Sequence, residues 1–385
     1  MSSASYGTYA AIFATYAFGN ALVATTIGTR VIEAVSTGEA DRAELVLRRD
    51  LLPVVLCVVA AGATAAGIGS NGSAAAWAAA GMAGFIFAEV GYSYVLGQRR
   101  YWLFFGLACA RTVLWAGSTL ALMLLLPEDE RLSGALAASL LGTLVPVIYV
   151  AARGGISITT AGGQGEGGAV SGVGIANLAL WLLASADRLI LAHFALVALA
   201  TYAALYGLLD RVFRGIANAD VQLRLPEAFA ARGQASGSEG SGSRGRALWL
   251  LLLGAACAAV APTIVAAASG GRYHPPWAMS VALSAGMVAM LAAVPGFVKL
   301  ISAGRASEAA KVAVLAAAVN IGGNLALAPR FGTGAAAALT LLGYLIWLIG
   351  ISLLLRREEA PPAKAEAAAA SGSREMADEL LEAQL

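Results

Sequence analysis

Long apolar runs, separated by short polar or glycine-rich stretches, recur along the whole chain. An α-helix crosses the hydrocarbon core of a bilayer with about 20 mostly apolar residues. Eleven runs meet that length, at 5–27, 51–69, 73–95, 101–126, 132–151, 170–193, 197–223, 247–268, 277–298, 308–328 and 332–355. Alternation of period two is absent, which favours helices over a β-barrel. Pro53, Pro146, Pro262 and Pro295 fall within or near the ends of these runs. Helices in lipid tolerate proline, and such positions often mark kinks.

Composition agrees. Of 385 residues, 59% are hydrophobic and 12% charged, where a soluble domain carries about 25% charged residues. The mean hydropathy is +0.75. These values exclude an ordinary water-soluble globule and an intrinsically disordered chain. With the first run starting outside, the alternate loops that face the cytoplasm hold 18 Lys and Arg, and the opposite loops hold 3. Positive charge stays on the cytoplasmic side, so the N-terminus is expected outside and the C-terminus inside. No basic segment precedes the first apolar run as a cleavable signal would require.

Cys57, Cys109 and Cys257 lie far apart within apolar runs, and His193 and His274 have no ligand partners at metal-binding spacing. No disulfide framework, metal site or cofactor is expected. The segments 152–169 and 232–246 are glycine-rich connectors. The tail 356–385 is charged and rich in Ala and Glu, and reads as a disordered or weakly helical cytoplasmic extension.

The chain repeats itself. Thr8–Ala14 (TYAAIFA) recurs as Thr201–Gly207 (TYAALYG), and Gly134–Gly142 (GALAASLLG) as Ala335–Gly343 (AAAALTLLG). The two offsets are nearly equal, which points to two halves related by duplication. The second half carries a helix, 170–193, ahead of its TYAALYG run. The first half has no counterpart, so one helix is expected to be absent from a twelve-helix plan. The expected fold is all-α and transmembrane. It has a five-helix bundle over 1–151, a linker over 152–169, a six-helix bundle over 170–355 and the tail.

Three stretches carry a family resemblance: Ala186–Phe194 (ADRLILAHF), Asn324–Gly332 (NLALAPRFG) and Ser5–Tyr9 (SYGTY). With their order and spacing, the chain resembles the polysaccharide flippases of the multidrug/oligosaccharidyl-lipid/polysaccharide exporter superfamily. The resemblance implies two helical bundles around a central cavity that opens alternately to each side. It also implies a polyprenyl phosphate- or pyrophosphate-linked oligosaccharide as cargo and a place among the lipids of the bacterial cytoplasmic membrane. Polysaccharide assembly proteins would be its partners.

Ionisable groups inside spans are costly and default to functional candidates. The set is Glu89, Arg111, Asp187, Arg188, Asp210, Arg211, Arg214 and Asp220. Asp210 and Arg214 are four apart and share a helix face, while Arg211 has no carboxylate at pairing distance on its own helix. Arg111, Arg211, Arg214 and Arg188 are cavity candidates, since guanidinium forks suit phosphate oxygens. Asp210, Asp187 and Glu89 are candidates for coupling to H⁺ or Na⁺, or for salt bridges. Tyr92 reads as a packing or interfacial aromatic.

Three function classes follow. The first is a flippase for lipid-linked saccharides in O-antigen, capsule or exopolysaccharide assembly. The second is a cation-coupled multidrug exporter of the same superfamily. The third is a membrane-embedded polymerase or glycosyltransferase. The external loops are short and show no catalytic constellation, so an enzyme is not expected. Nothing in the sequence points to a nucleic-acid partner, and a truncated, inactive chain would rest only on the absent helix.

Overall fold

The computed structural model describes residues 12, 15–38, 47–67, 72–128, 130–152, 168–194, 196–231 and 243–359. The motif Ser5–Tyr9, most of the 152–169 and 232–246 connectors, and the tail beyond 359 lie outside the described residues. Every regular element described is helical. In chain order they are α1 (Thr25–Ser36), α2 (Leu47–Gly67), α3 (Gly72–Gly97), α4 (Tyr101–Leu125) and α5 (Arg131–Ala152). There follow α6 (Gly168–Phe194), α7 (Leu196–Ala230), α8 (Ser243–Ala268), α9 (Trp277–Ser302) and α10 (Ala306–Glu359). Seven of them are long and apolar enough to cross a membrane, among the described residues. The fold is an all-helical, multi-pass membrane fold.

Two boundaries differ from the sequence reading. The first helix runs on to Ser36, nine residues past its apolar run, and Asn20–Ala24 forms a π-helical turn just before α1. The last two apolar runs are not separated by a loop. They form α10, which breaks at Gly332 (φ 57°, ψ −137°). Gly323 faces Leu339, Gly343 faces Asn320 and Gly350 faces Val312. These pairs fall symmetrically about position 331, so the arms 306–331 and 333–359 lie antiparallel. The reversal needs a positive φ, which glycine adopts without a β-carbon clash.

Packing divides into helical clusters. In the N-terminal half α3 is central, packed by α1, α2 and α5, with α4 against α5. Its core includes Tyr16, Ile27, Val31, Met82, Ile86 and Leu136. In the C-terminal half α6 packs along α10, and α9 packs on α10, α7 and α8. Its core includes Leu183, Tyr202, Phe213, Met287, Phe297 and Trp347. Helix α4 buries only Leu107 and presents Trp102, Val113, Leu120 and Leu124 outward, an apolar face suited to lipid.

Small residues set the close approaches, as expected where lipid removes the hydrophobic drive between helices. A β-carbon at Gly172 would stand 2.6 Å from the Ser307 backbone nitrogen, joining α6 to α10. One at Gly174 would stand 2.5 Å from the Leu22 carbonyl oxygen, joining α6 to the π-turn. Hydrogen bonds and an edge-on ring contact between Phe18 and Trp181 join the halves. Asn177 donates to Thr25 Oγ1 at 3.1 Å, and Tyr101 donates to the Leu223 carbonyl at 3.4 Å.

Overpacking a close helix contact costs about 1–3 kcal/mol. Gly172→Val is therefore expected to lower the thermal unfolding midpoint of the detergent-solubilised protein by several degrees. Gly207 has nothing within 4 Å of its β-position, so Gly207→Ala is expected to leave the midpoint unchanged or raise it. Equal midpoints for Gly172→Val and the parent chain would refute the contact.

Candidate functional site

The deepest polar cluster sits where α6, α7 and the second arm of α10 meet. Asp187 of α6 has no solvent exposure. Its carboxylate accepts a hydrogen bond from the Tyr202 hydroxyl, one from Thr340 Oγ1 at 3.2 Å and one from the Arg188 backbone N–H at 2.6 Å. Three helices thus supply the donors for one buried charge. Such satisfaction is what allows a carboxylate to persist in a low-dielectric interior.

Arg188 does not neutralise it closely. Its Nε stands 4.0 Å from Asp187 Oδ1, while Nη2 donates to the Ala184 carbonyl at 2.8 Å and to Ser185 Oγ at 3.3 Å. The guanidinium lies over the Tyr206 ring, 4.8 Å from its centroid. Tyr202 and Tyr206 are one turn apart on α7 and stack at 5.8 Å. On the first arm of α10, Asn320 and Asn324 are fully buried, and Asn324 Nδ2 donates to the Asn320 carbonyl at 2.9 Å. Side-chain oxygens of both asparagines have no hydrogen-bond partner among the described residues.

The other candidates separate into distinct environments. Arg214 grips Asp210 with Nη2 at 2.7 Å and Nε at 3.1 Å, an internal i,i+4 pair on α7. Arg211, next to that pair, is exposed. Asp220 belongs to a network at the end of α7. It binds Arg224 Nε at 2.7 Å and Arg246 Nη2 at 2.8 Å, and Arg246 also reaches the Leu291 carbonyl. Glu89 of α3 and Arg111 of α4 lie in the other half. Both are half-buried, and the Arg111 guanidinium carbon is 4.6 Å from the Phe85 ring centroid and 5.7 Å from that of Tyr92. No group of three or more His, Cys, Asp or Glu able to hold a metal occurs among the described residues.

Sequence reasoning selects Asp187 but not its partners. Tyr202 and Tyr206 are the aromatics of the TYAALYG repeat, and Thr340 lies in the AAAALTLLG repeat. In sequence, both repeats serve only as evidence of duplication. The polar residues inside them are the available signal. Tyr92, expected as a packing residue, is one of the rings that hold Arg111.

No protein-family model and no curated protein sequence matches the chain. Solved structures do. A MATE in complex with MaD3S superposes with a TM-score of 0.69 at 15% identity, over 93% of this chain and 88% of that one. A point mutant of the Vibrio cholerae MATE transporter VcmN gives 0.68 at 14% identity over 92% and 89%. A MATE in the bent conformation gives 0.68 at 16% identity over 92% and 87%. The chain therefore has an exporter fold of the MATE type.

This corrects the resemblance drawn from the sequence. The matching folds are MATE transporters, and the polysaccharide flippase reading is set aside. With it go the lipopolysaccharide, exopolysaccharide and polysaccharide-biosynthesis roles. The physical reason is twofold. The motifs that carried the resemblance are loose apolar patterns that a shared helical plan satisfies. The arginines that argued for a phosphate cargo are partly consumed internally, Arg214 by Asp210 and Arg188 by the Ala184 carbonyl and the Tyr206 ring.

Losing one partner of a buried hydrogen-bonded charge costs about 1–3 kcal/mol. Tyr202→Phe and Thr340→Val are each expected to destabilise the solubilised protein by that order. Because both serve Asp187, the double variant is expected to depart from additivity. Thermal unfolding of the two single variants and the double variant checks this, and strict additivity would show that the two donors act independently.

Proposed function

We propose that the protein is a cation-coupled exporter of small organic compounds of the multidrug type. It works by alternating access in a bacterial cytoplasmic membrane. A five-helix and a six-helix bundle flank its central cavity, with the N-terminus outside and the C-terminus inside. The observation that carries the reading is Asp187, a fully buried carboxylate held by neutral donors, with its nearest arginine at 4.0 Å. The shared MATE-type fold supports it.

The coupling follows from the cost of burying charge. A carboxylate in a low-dielectric interior is stabilised by a bound proton or Na⁺ far more than it would be in water. Neutralising Asp187 weakens its pull on the donors from α7 and from the second arm of α10. The three helices then favour a different arrangement. Ion binding shifts the equilibrium only through such a difference in affinity between two states. Asp210 with Arg214 is an internal pair of α7, and Arg211 beside it is available to the cavity.

Reconstituted proteoliposomes test the reading with ethidium as the cargo and an imposed H⁺ or Na⁺ gradient as the drive. The parent chain is expected to move dye in response to one gradient. Asp187→Asn is expected to lower gradient-driven flux about tenfold or more, equivalent to at least about 1.4 kcal/mol of coupling. Size-exclusion chromatography confirms that the variant remains folded. An Asp187→Asn protein that pumps at the parental rate overturns the assignment.

A further inference from the structure

The two arms of α10 carry charge at one end and bare hydrocarbon beside it. Gly350 of the second arm faces Val312 of the first. Successive helix residues turn by about 100°. In an antiparallel pair of right-handed helices, the residues just before the facing positions therefore turn to the same side. Those residues are Lys311 and Ile349, and both are exposed. Val314 and Leu315 continue the face from Lys311, and Leu353 and Arg356 continue it from Ile349. These four are exposed as well. The opposite faces of the arms, with Ala313, Ala317, Tyr344 and Ile351, are buried. One side of the hairpin is thus an apolar strip bordered by cations.

More charge gathers at that end. Arg305, in the turn between α9 and α10, donates to Glu308 with Nε at 2.9 Å and Nη2 at 2.8 Å. Nη2 also donates to the Leu354 carbonyl at 3.4 Å, which ties the start of the first arm to the end of the second. Lys311 and Arg357 both act electrostatically on Glu308. The exposed cations Lys311, Arg356 and Arg357 therefore border an acid that Arg305 already engages. Among the described residues, no carboxylate lies within 4.0 Å of Lys311, Arg356 or Arg357. Loop charge expects this end of the helices at the cytoplasmic surface.

We propose that this side of the α10 hairpin binds one anionic phospholipid. The lipid phosphate accepts hydrogen bonds from Lys311, Arg356 and Arg357, and an acyl chain lies along Val314, Leu315, Ile349 and Leu353. Long basic side chains reach headgroup level while their stems stay on apolar surface, and guanidinium forks suit phosphate oxygens. The adjacency of the two surfaces selects the partner. An acidic soluble protein matches the cations and leaves the strip uncovered. A zwitterionic lipid covers the strip, but its own cation offsets its phosphate. A phospholipid with net negative charge matches both surfaces. The site stands on the hairpin geometry and does not rest on the exporter reading.

Native mass spectrometry of the delipidated full-length protein in detergent tests it, with dioleoyl phosphatidylglycerol and dioleoyl phosphatidylcholine as probes. The two share their acyl chains and differ in net charge. The first phosphatidylglycerol is expected to bind about tenfold tighter than the first phosphatidylcholine. Lys311→Gln is expected to lower phosphatidylglycerol affinity about fivefold and to leave phosphatidylcholine unchanged. Lys299→Gln removes an exposed lysine of α9 at the same end and is the charge-matched control, expected to change neither. Equal affinity of the parent chain for the two lipids overturns the proposal without any variant having to fold. Equal losses in Lys311→Gln and Lys299→Gln overturn it as well, since they report a general positive surface. Excess inorganic phosphate supplies the same oxygens without chains and is expected to leave the lipid bound. Displacement of the lipid by phosphate assigns the cations to a soluble anion and overturns the lipid site.

Discussion

A charge placed in lipid must find its compensation within the protein, and the arrangement of this chain follows from how each charge does so. Asp187 draws donors from its own helix, from Tyr202 of α7 and from Thr340 of α10. That demand helps fix the mutual register of three helices. Leucine and alanine gain little from one neighbour over another in a hydrocarbon solvent, whereas a buried carboxylate with a missing donor is strongly penalised.

Close backbone contact is the second organising device. Gly172 and Gly174 lie two residues apart near the start of α6 and serve different partners, the first α10 and the second the π-turn before α1. One helix therefore ties its own bundle together and also forms part of the seam between halves. A π-turn widens the backbone locally and leaves carbonyls seeking donors. Thr25 and Thr26 answer them, bonding to the Ala21 and Leu22 carbonyls at 2.8 and 2.9 Å. Thr25 then also accepts from Asn177 across the seam. A seam made of hydroxyls, one amide and a bare glycine backbone is tight.

The two halves handle charge differently. In the C-terminal half, Asp187 is saturated by neutral donors and Asp210 is paired with Arg214. In the N-terminal half, Arg111 is held by the Phe85 and Tyr92 faces and acts electrostatically on Glu89. Both halves belong to a single fold shared with MATE transporters.

The sequence by itself determined that the chain is helical and spans a membrane many times. Apolar run length and the absence of two-residue alternation report the solvent of each segment directly. It also singled out the costly charges, because any Asp or Arg within such a run stands out against Ala and Leu. Only the tertiary structure decided which of those charges are consumed and which are free. Arg214 and Arg211 are three residues apart on one helix, yet one is locked to Asp210 and the other is exposed. Tyr202 and Thr340, 138 positions apart, meet at Asp187 only because α10 folds back at Gly332. Pairing across helices depends on rotation and register, which loose apolar patterns leave undetermined. For the same reason those patterns marked a multi-helix membrane plan but left open which fold builds it.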